Sequence, residues 1–270
     1  MVKPQYYQHI WDCCCDHGLL GFALLPQKSS NNAISPSDSV IHFVDIVPDL
    51  ILEIEDKLQR FYSVQDNPPC NNSVWQTHCL DVAKLPLAQH EGKHLVIIAG
   101  VGGDLMIKFI QAIHQQYKDF EIDFLLCPVH HQYSLRSKLI ELDFSFQDEM
   151  LLEENKRFYE ILLVSSQRDV GISTAAKVHQ VGNKIWQPLV NNEDSLQADI
   201  ANRYLTKTLK HYQRIKQGIE QSLQQKVSQD DIQDTPAHLI AKQNSKTAEY
   251  LQVQEVIQAY NKLLPQDNSY

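Results

Sequence analysis

Apolar residues in the first 166 positions come in short runs separated by amphipathic stretches. The runs HIWDCC, VIHFVDI, VWQTHCLD, HLVIIAG, DFLLCPV and FYEILLVSS read as strands. VIIAG is apolar throughout, as suits a strand covered on both faces. Between the runs, PDLILEIEDKLQRFY and DLMIKFIQAIHQQY carry the spacing of amphipathic helices. This alternation predicts an α/β fold with a parallel sheet and helices on both faces. The pattern changes after Ser166. Residues 167–194 are mixed, with Gly171, Gly182 and Pro188, and read as a connector. In residues 195–270 the apolar positions Ala201, Leu205, Thr208, Tyr212, Ile215, Ile219 and Leu223 step by four and three. Tyr250, Val253, Ile257, Tyr260 and Leu264 do the same. Two such seams, with SQDDIQDTPAHL and its Pro236 as the turn between them, predict an antiparallel, coiled-coil-like helical hairpin. The expected organisation is a sheet domain over 1–166, a connector over 167–194 and the hairpin over 195–270.

Composition narrows the function. The chain has 270 residues, 43% hydrophobic and 21% charged, with a net charge of −9. The whole surface therefore does not suit a generic polyanion binder. Charge is unevenly placed, however: residues 195–264 hold nine Lys or Arg and seven Asp or Glu, a balance of +2, which leaves −11 elsewhere. Arg203, Lys207, Lys210 and Arg214 step by four, three and four and share one helix face. Such a face is either simply solvated or a stripe for phosphates. The six cysteines are Cys13, Cys14, Cys15, Cys70, Cys79 and Cys127. Three in a row do not make a disulfide framework, and no secretory leader is visible. Reduced thiols, a cytoplasmic location and no disulfide-linked partner are expected. The longest apolar stretch, around Leu95 to Val101, is too short for a bilayer, so no membrane partner is expected. The expected state is a monomer or weak dimer.

In open α/β sheets ligands bind at the carboxyl ends of the strands. The first run ends in Asp12, Cys13 to Cys15, Asp16 and His17; the second in Asp45; the third in Asp81; the fourth in Gly100, Val101, Gly102 and Gly103. A carboxylate closing the second strand accepts from both hydroxyls of a ribose. The glycines of GVGG let backbone approach a ligand, and Asp81 can accept from an adenine amino group. Together they favour an adenosine-containing cofactor. The absence of G-x-G-x-x-G after the first strand argues against NAD or FAD.

The motifs resemble the TrmK family of tRNA (adenine-N1)-methyltransferases. Its pattern runs D-I-G-S-D-H-x-x-L, an acidic end to strand two, G-D-G-L, I-A-G-M-G-G, then Q-P-N with L-R seven residues on, and K-x-Y-E-I before a helical hairpin. This chain has DCCCDHGLLG, FVDIVPDLI, CLDVAKL, VIIAGVGGDLM, CPVHHQYSLRSKL and KRFYEILLV in the same order. The resemblance covers Ile10 to Val164 in detail and the hairpin in outline. It implies a Rossmann-like class I methyltransferase sheet, S-adenosyl-L-methionine (SAM) as cofactor, and N1-methylation of adenosine 22 in tRNA. It implies cofactor contacts from Asp12, Cys14, Asp16, His17, Asp45, Asp81, Gly100, Gly102 and Gly103. Asp16 and His17 become the candidates to stabilise charge on the methylated base, with Tyr159 a stacking platform. Arg136, at the L-R position, and the stripe of Arg203, Lys207, Lys210 and Arg214 become candidate tRNA contacts.

Several positions depart from the family pattern. Cys14 stands where the family has glycine and Cys15 where it has serine. Val129 replaces the asparagine of Q-P-N, and Cys127 its glutamine. The family's helix before the first strand has no counterpart in the nine residues before Ile10. These departures motivate an alternative: a SAM-binding member re-purposed for another RNA, or a non-catalytic binding module. A third reading gathers Cys13 to Cys15, His17, His78, Cys79, Cys127, His130 and His131 into a metal or redox site. No C-x-x-C spacing supports it, and no metal is expected.

Overall fold

Seven strands form one sheet: β1 (His9–Cys13), β2 (Val40–Asp45), β3 (Trp75–Cys79), β4 (His94–Ala99), β5 (Ile122–Cys127), β6 (Ser145–Glu154) and β7 (Arg157–Ser165). Their order is β3-β2-β1-β4-β5-β7-β6. This computed structural model describes residues 6–25, 39–62, 74–166, 177–191, 195–225 and 236–264. The helices are α1 (Leu19–Leu24), α2 (Pro48–Tyr62), α3 (Gly103–Gln116), α4 (Gln132–Glu141), α5 (Gln187–Val190), α6 (Leu196–Gln225) and α7 (Pro236–Asn261). The chain divides into two compact units, 1–179 and 180–270, a division that falls within the expected connector.

Strand alternation builds two cores. Ile10, Phe43 and Ile97 pack on one face of the sheet with Ile51, Ile54 and Leu58 of α2. Trp11, Val44 and Val96 pack on the other with Met106, Ile110 and Ile113 of α3. Each helix buries positions three and four apart, and each fully buried Ile or Leu contributes roughly 1.5–3 kcal/mol. On the exposed face of α2, Lys57 and Glu53 pair at 2.6 Å one turn apart.

The sheet is mixed. β1 to β5 are parallel, but β7 runs antiparallel to β5, and β6 antiparallel to β7. β6 lies outside the predicted runs. It is an edge strand whose residues alternate between buried Glu149 and Leu151 and exposed Met150 and Leu152, so it has no continuous apolar run. Its signal was in the turn. Asn155 (φ 50°) and Lys156 (φ 62°) both take left-handed backbone and join Glu154 to Arg157 as a two-residue hairpin.

In the second unit, the hydroxyl of Tyr250 on α7 donates to Glu220 on α6 at 3.1 Å. Tyr260 stacks with Tyr212 at 6.2 Å. Partners later in α7 meet residues earlier in α6, so the helices are antiparallel. Ala201, Tyr204, Leu205, Leu209 and Ile219 are buried on α6, and Val253, Val256 and Tyr260 on α7. Trp186 stacks on Tyr204 and closes one end. Two positions differ from the sequence reading. Leu264 lies beyond the end of α7 and is exposed. Pro236, read as part of the turn, is the first residue of α7, where its missing N–H costs nothing. Residues 228–235 of that expected turn lie outside the described residues.

Candidate functional site

The loop after β1 is tied down by backbone bonds. Cys15 N–H donates to Val44 O at 3.1 Å, and Gly18 N–H to Cys15 O at 2.7 Å. Asp12, 4% exposed, accepts from Gly21 N–H at 2.8 Å and so fastens the first turn of α1. Gly21 must be glycine, because a Cβ there would stand 2.3 Å from the Phe43 ring. Burial pushes the Asp12 carboxyl up to about 7, only partly offset by the Gly21 bond. Asp12 thus shapes the loop from within.

Cys14 takes φ 57° and Asp16 φ 49°, both left-handed. The glycine of the family pattern would sit in that conformation without strain. Cysteine holds the same path at a cost of roughly 1–2 kcal/mol. The thiol of Cys14 is half-buried and pushed up to about 11 by burial, then by the charges of Asp45, Asp12 and Asp81. The three charges belong to carboxylates at the ends of β1, β2 and β3. Burial also pushes up Cys13, and Cys15 to about 12. These thiols stay protonated at neutral pH, the opposite of what a reactive or metal-binding cysteine needs.

Asp45 is half-buried at the end of β2. Its Oδ2 accepts from Asp16 N–H at 3.1 Å and its Oδ1 from Val47 N–H at 3.0 Å. Each oxygen retains a lone pair for a further donor. Asp81, beyond β3, accepts from Ala83 N–H at 2.9 Å and caps a short 3-10 turn. After β4, Gly100 takes φ 77°, and nothing lies within 4 Å of where its Cβ would be. This open space against bare backbone suits a ligand lying between β1 and β4, where the strand order reverses.

Gly102 and Gly103 are glycines for another reason. A Cβ on Gly102 would meet the His130 ring at 2.2 Å, and one on Gly103 would meet His131 O at 2.6 Å. Gly103 N–H donates to His130 O, and Val129 N–H to Val101 O. These two glycines let the β4 and β5 loops pack together. Val129 itself is 51% exposed. His131 Nδ1 lies 2.7 Å from Asp104 Oδ2, a pair at the start of α3 that sequence reading missed.

His17 is exposed, 3.5 Å from Glu53 and 3.8 Å from Asp16. Tyr159 is half-buried on β7 opposite Leu152. Since Leu162 pairs with Leu126 near the end of β5, Tyr159 falls at the same sheet edge as the strand-end loops. Arg136 corrects its expected role. It is 1% exposed, its Nη2 lies 2.7 Å from Glu149 and 2.9 Å from Glu160, and Nη1 donates to His179 O. A guanidinium so enclosed joins α4 to the β6–β7 hairpin and is not presented to a substrate.

In the second unit, Arg203, Lys207, Lys210 and Arg214 are exposed and line one shallow groove along α6 with His211. Asp199 pairs with Arg203 at 2.8 Å and offsets part of the charge. The Cys and His residues of the alternative metal reading do not form a cluster among the described residues. Among the described residues, the only three metal-binding side chains that converge are His9, His42 and His90, none of which the sequence reading singled out.

Two family profiles match. One, for a methyltransferase domain, covers residues 1–162. The other, TrmK, described as tRNA (adenine(22)-N(1))-methyltransferase, covers residues 83–244. No curated protein matches. Among solved structures, the M1A22 tRNA methyltransferase TrmK of B. subtilis is 17% identical, with a TM-score of 0.55 over 96% of this chain and 93% of that one. TrmK of M. capricolum in complex with S-adenosyl-homocysteine is 13% identical, with a TM-score of 0.54 over 94% and 90%. A putative tRNA (m1A22) methyltransferase of Streptococcus pneumoniae, in complex with S-adenosyl-L-methionine, is 16% identical, with a TM-score of 0.51 over 96% and 92%.

Proposed function

The chain belongs to the TrmK family of tRNA (adenine(22)-N(1))-methyltransferases, and we propose that it moves a methyl group from SAM to N1 of an adenosine in tRNA, at position 22 by family resemblance. One observation carries the reading. Asp45 closes β2, Asp81 lies just beyond β3 and the open backbone of Gly100 just beyond β4, so all three stand at the carboxyl ends of neighbouring parallel strands.

SAM, when bound, supplies a methyl group on a sulfonium leaving group. The protein's task is then alignment, which can supply roughly 7–11 kcal/mol. Asp45 holds the ribose through the lone pairs its two backbone bonds leave. Asp81 accepts from the adenine amino group. The loop around Cys14 lies against the amino-acid half and keeps its path despite the missing glycine. Asp16 and His17, exposed at the rim, stabilise positive charge on the target ring and receive a proton from its N6 amino group. Tyr159 stacks on the base. Lys207, Lys210 and Arg214, with what Asp199 leaves of Arg203, hold the tRNA backbone, so affinity falls as salt rises.

Isothermal titration with SAM and with S-adenosylhomocysteine tests the cofactor step. Micromolar binding that Asp45→Ala abolishes supports it; absence of binding overturns it. Exposed Val129, in place of the family asparagine, favours a second reading in which SAM binds but another RNA is the substrate. That reading is upheld if SAM binds while unmodified tRNA gains no methyl group.

A further inference from the structure

Five histidines gather on one face of the sheet around Trp11. Register places His9 opposite His94, and Trp11 opposite His42. The His42 ring stacks on Trp11 at 3.8 Å with 11° between planes. His90, at the end of a 3-10 turn over Leu87–Gln89, brings its ring to 4.9 Å from His9 and 4.7 Å from His42. We propose that His9, His42 and His90 form a binding site for a divalent transition metal of the zinc class, separate from the strand-end crevice.

Backbone carbonyls fix the tautomers, because a carbonyl only accepts. His9 Nε2 lies 3.1 Å from Glu91 O and therefore carries the proton, leaving the Nδ1 lone pair directed at His42 Nε2, 2.9 Å away. His94 Nε2 lies 3.1 Å from His90 O, so His94 Nδ1 accepts from Trp11 Nε1–H. His94 is thereby saturated and is no ligand. His42 Nδ1 lies 2.9 Å from His78 Nε2. With the proton on that Nδ1, His42 turns its own Nε2 lone pair toward His9, and His78 serves as the outer acceptor. Carbonyl and imidazole partners behind metal-bound imidazoles are the usual means of orienting them. The His90 ring has no hydrogen-bond partner among the described residues.

The donor atoms of the three residues lie within 4.8 Å of one another. A tetrahedral zinc with Zn–N of about 2.0–2.1 Å sets its donors roughly 3.4 Å apart. A small opening of the His9–His42 contact and a turn of the half-buried His90 ring reach that spacing. Neutral imidazole is the form that binds metal. Imidazole donors without thiolate suit zinc, copper(II) or nickel(II). His9 and His90 are half-buried, which leaves an entry path.

The test strips the full chain with a chelator and titrates it with zinc chloride, with cobalt(II) chloride as a spectroscopic probe. One equivalent of zinc, a higher melting temperature, and a cobalt spectrum without a thiolate charge-transfer band are expected. Affinity should fall at least tenfold in His90→Ala and in the shape-matched His90→Gln, and stay unchanged in Cys79→Ser. Less than one equivalent bound, wild-type affinity in either His90 variant that folds, or a thiolate band would overturn the proposal. The cluster would then be a hydrogen-bonded chain, with His42 Nε2–H donating to His9.

Discussion

Asp12 is a carboxyl sealed beneath the loop after β1, and replacing it with asparagine should leave a pH-dependent trace. The folded-state value of about 7 lies above the ordinary 3.8 because burial disfavours the anion more than the Gly21 N–H favours it. Below pH 4 the group is neutral in both folded and unfolded chains. Between pH 4 and 7 the folded chain binds the extra proton, so its stability falls as pH rises, and above pH 7 the loss is complete. A difference of about three pH units corresponds to about 4 kcal/mol at 1.36 kcal/mol per unit. An asparagine at this position would keep an acceptor for Gly21 N–H without a charge. Asp12→Asn should therefore match the natural chain near pH 4 and exceed it by a few kcal/mol at pH 8. Urea unfolding at intervals between these values reads the difference. Taking the difference also cancels the opposing contribution of the buried histidines, which are lowered and so destabilise the fold in acid. Parallel curves, or a variant less stable than the natural chain at pH 8, would refute the argument.

Two further substitutions test particular contacts. Cys14→Gly should raise stability by about 0.5–1 kcal/mol, as relief of left-handed strain exceeds the added freedom of glycine in the unfolded chain; a lower urea midpoint would contradict it. Arg136→Met should destabilise by about 3–5 kcal/mol, since it strands Glu149 and Glu160 as buried unpaired charges. Thermal unfolding should show that loss, whereas a normal melting curve with a raised KM for tRNA would restore Arg136 to the substrate.

The elements easiest to read in the sequence were those whose pattern has one cause. After His94, β4 is apolar to its end because both faces of the sheet are covered, and the bounds of α2 coincide with its amphipathic period. The sequence also placed Asp45, Asp81 and Gly100 at strand ends, where the sheet has them. What stayed hidden depended on partners distant in the chain. Arg136 matches a family motif, but only the fold shows two glutamates from β6 and β7 closing over it. That Gly102 and Gly103 pack against His130 and His131 also shows only in the fold. The histidine row is spread over β1, β2, β3, β4 and a turn, with no local spacing to announce it. Its trace was His9, His42, His78 and His94 sharing one face of adjacent strands, legible only once the register was known.

The most direct measurement of the central claim is transfer of labelled methyl from SAM to unmodified tRNA, with the modified base mapped. The account predicts one methyl group per tRNA, on N1 of adenosine 22, absent in Asp45→Ala. A chain that binds SAM yet methylates no tRNA adenosine, or methylates another position, would contradict it.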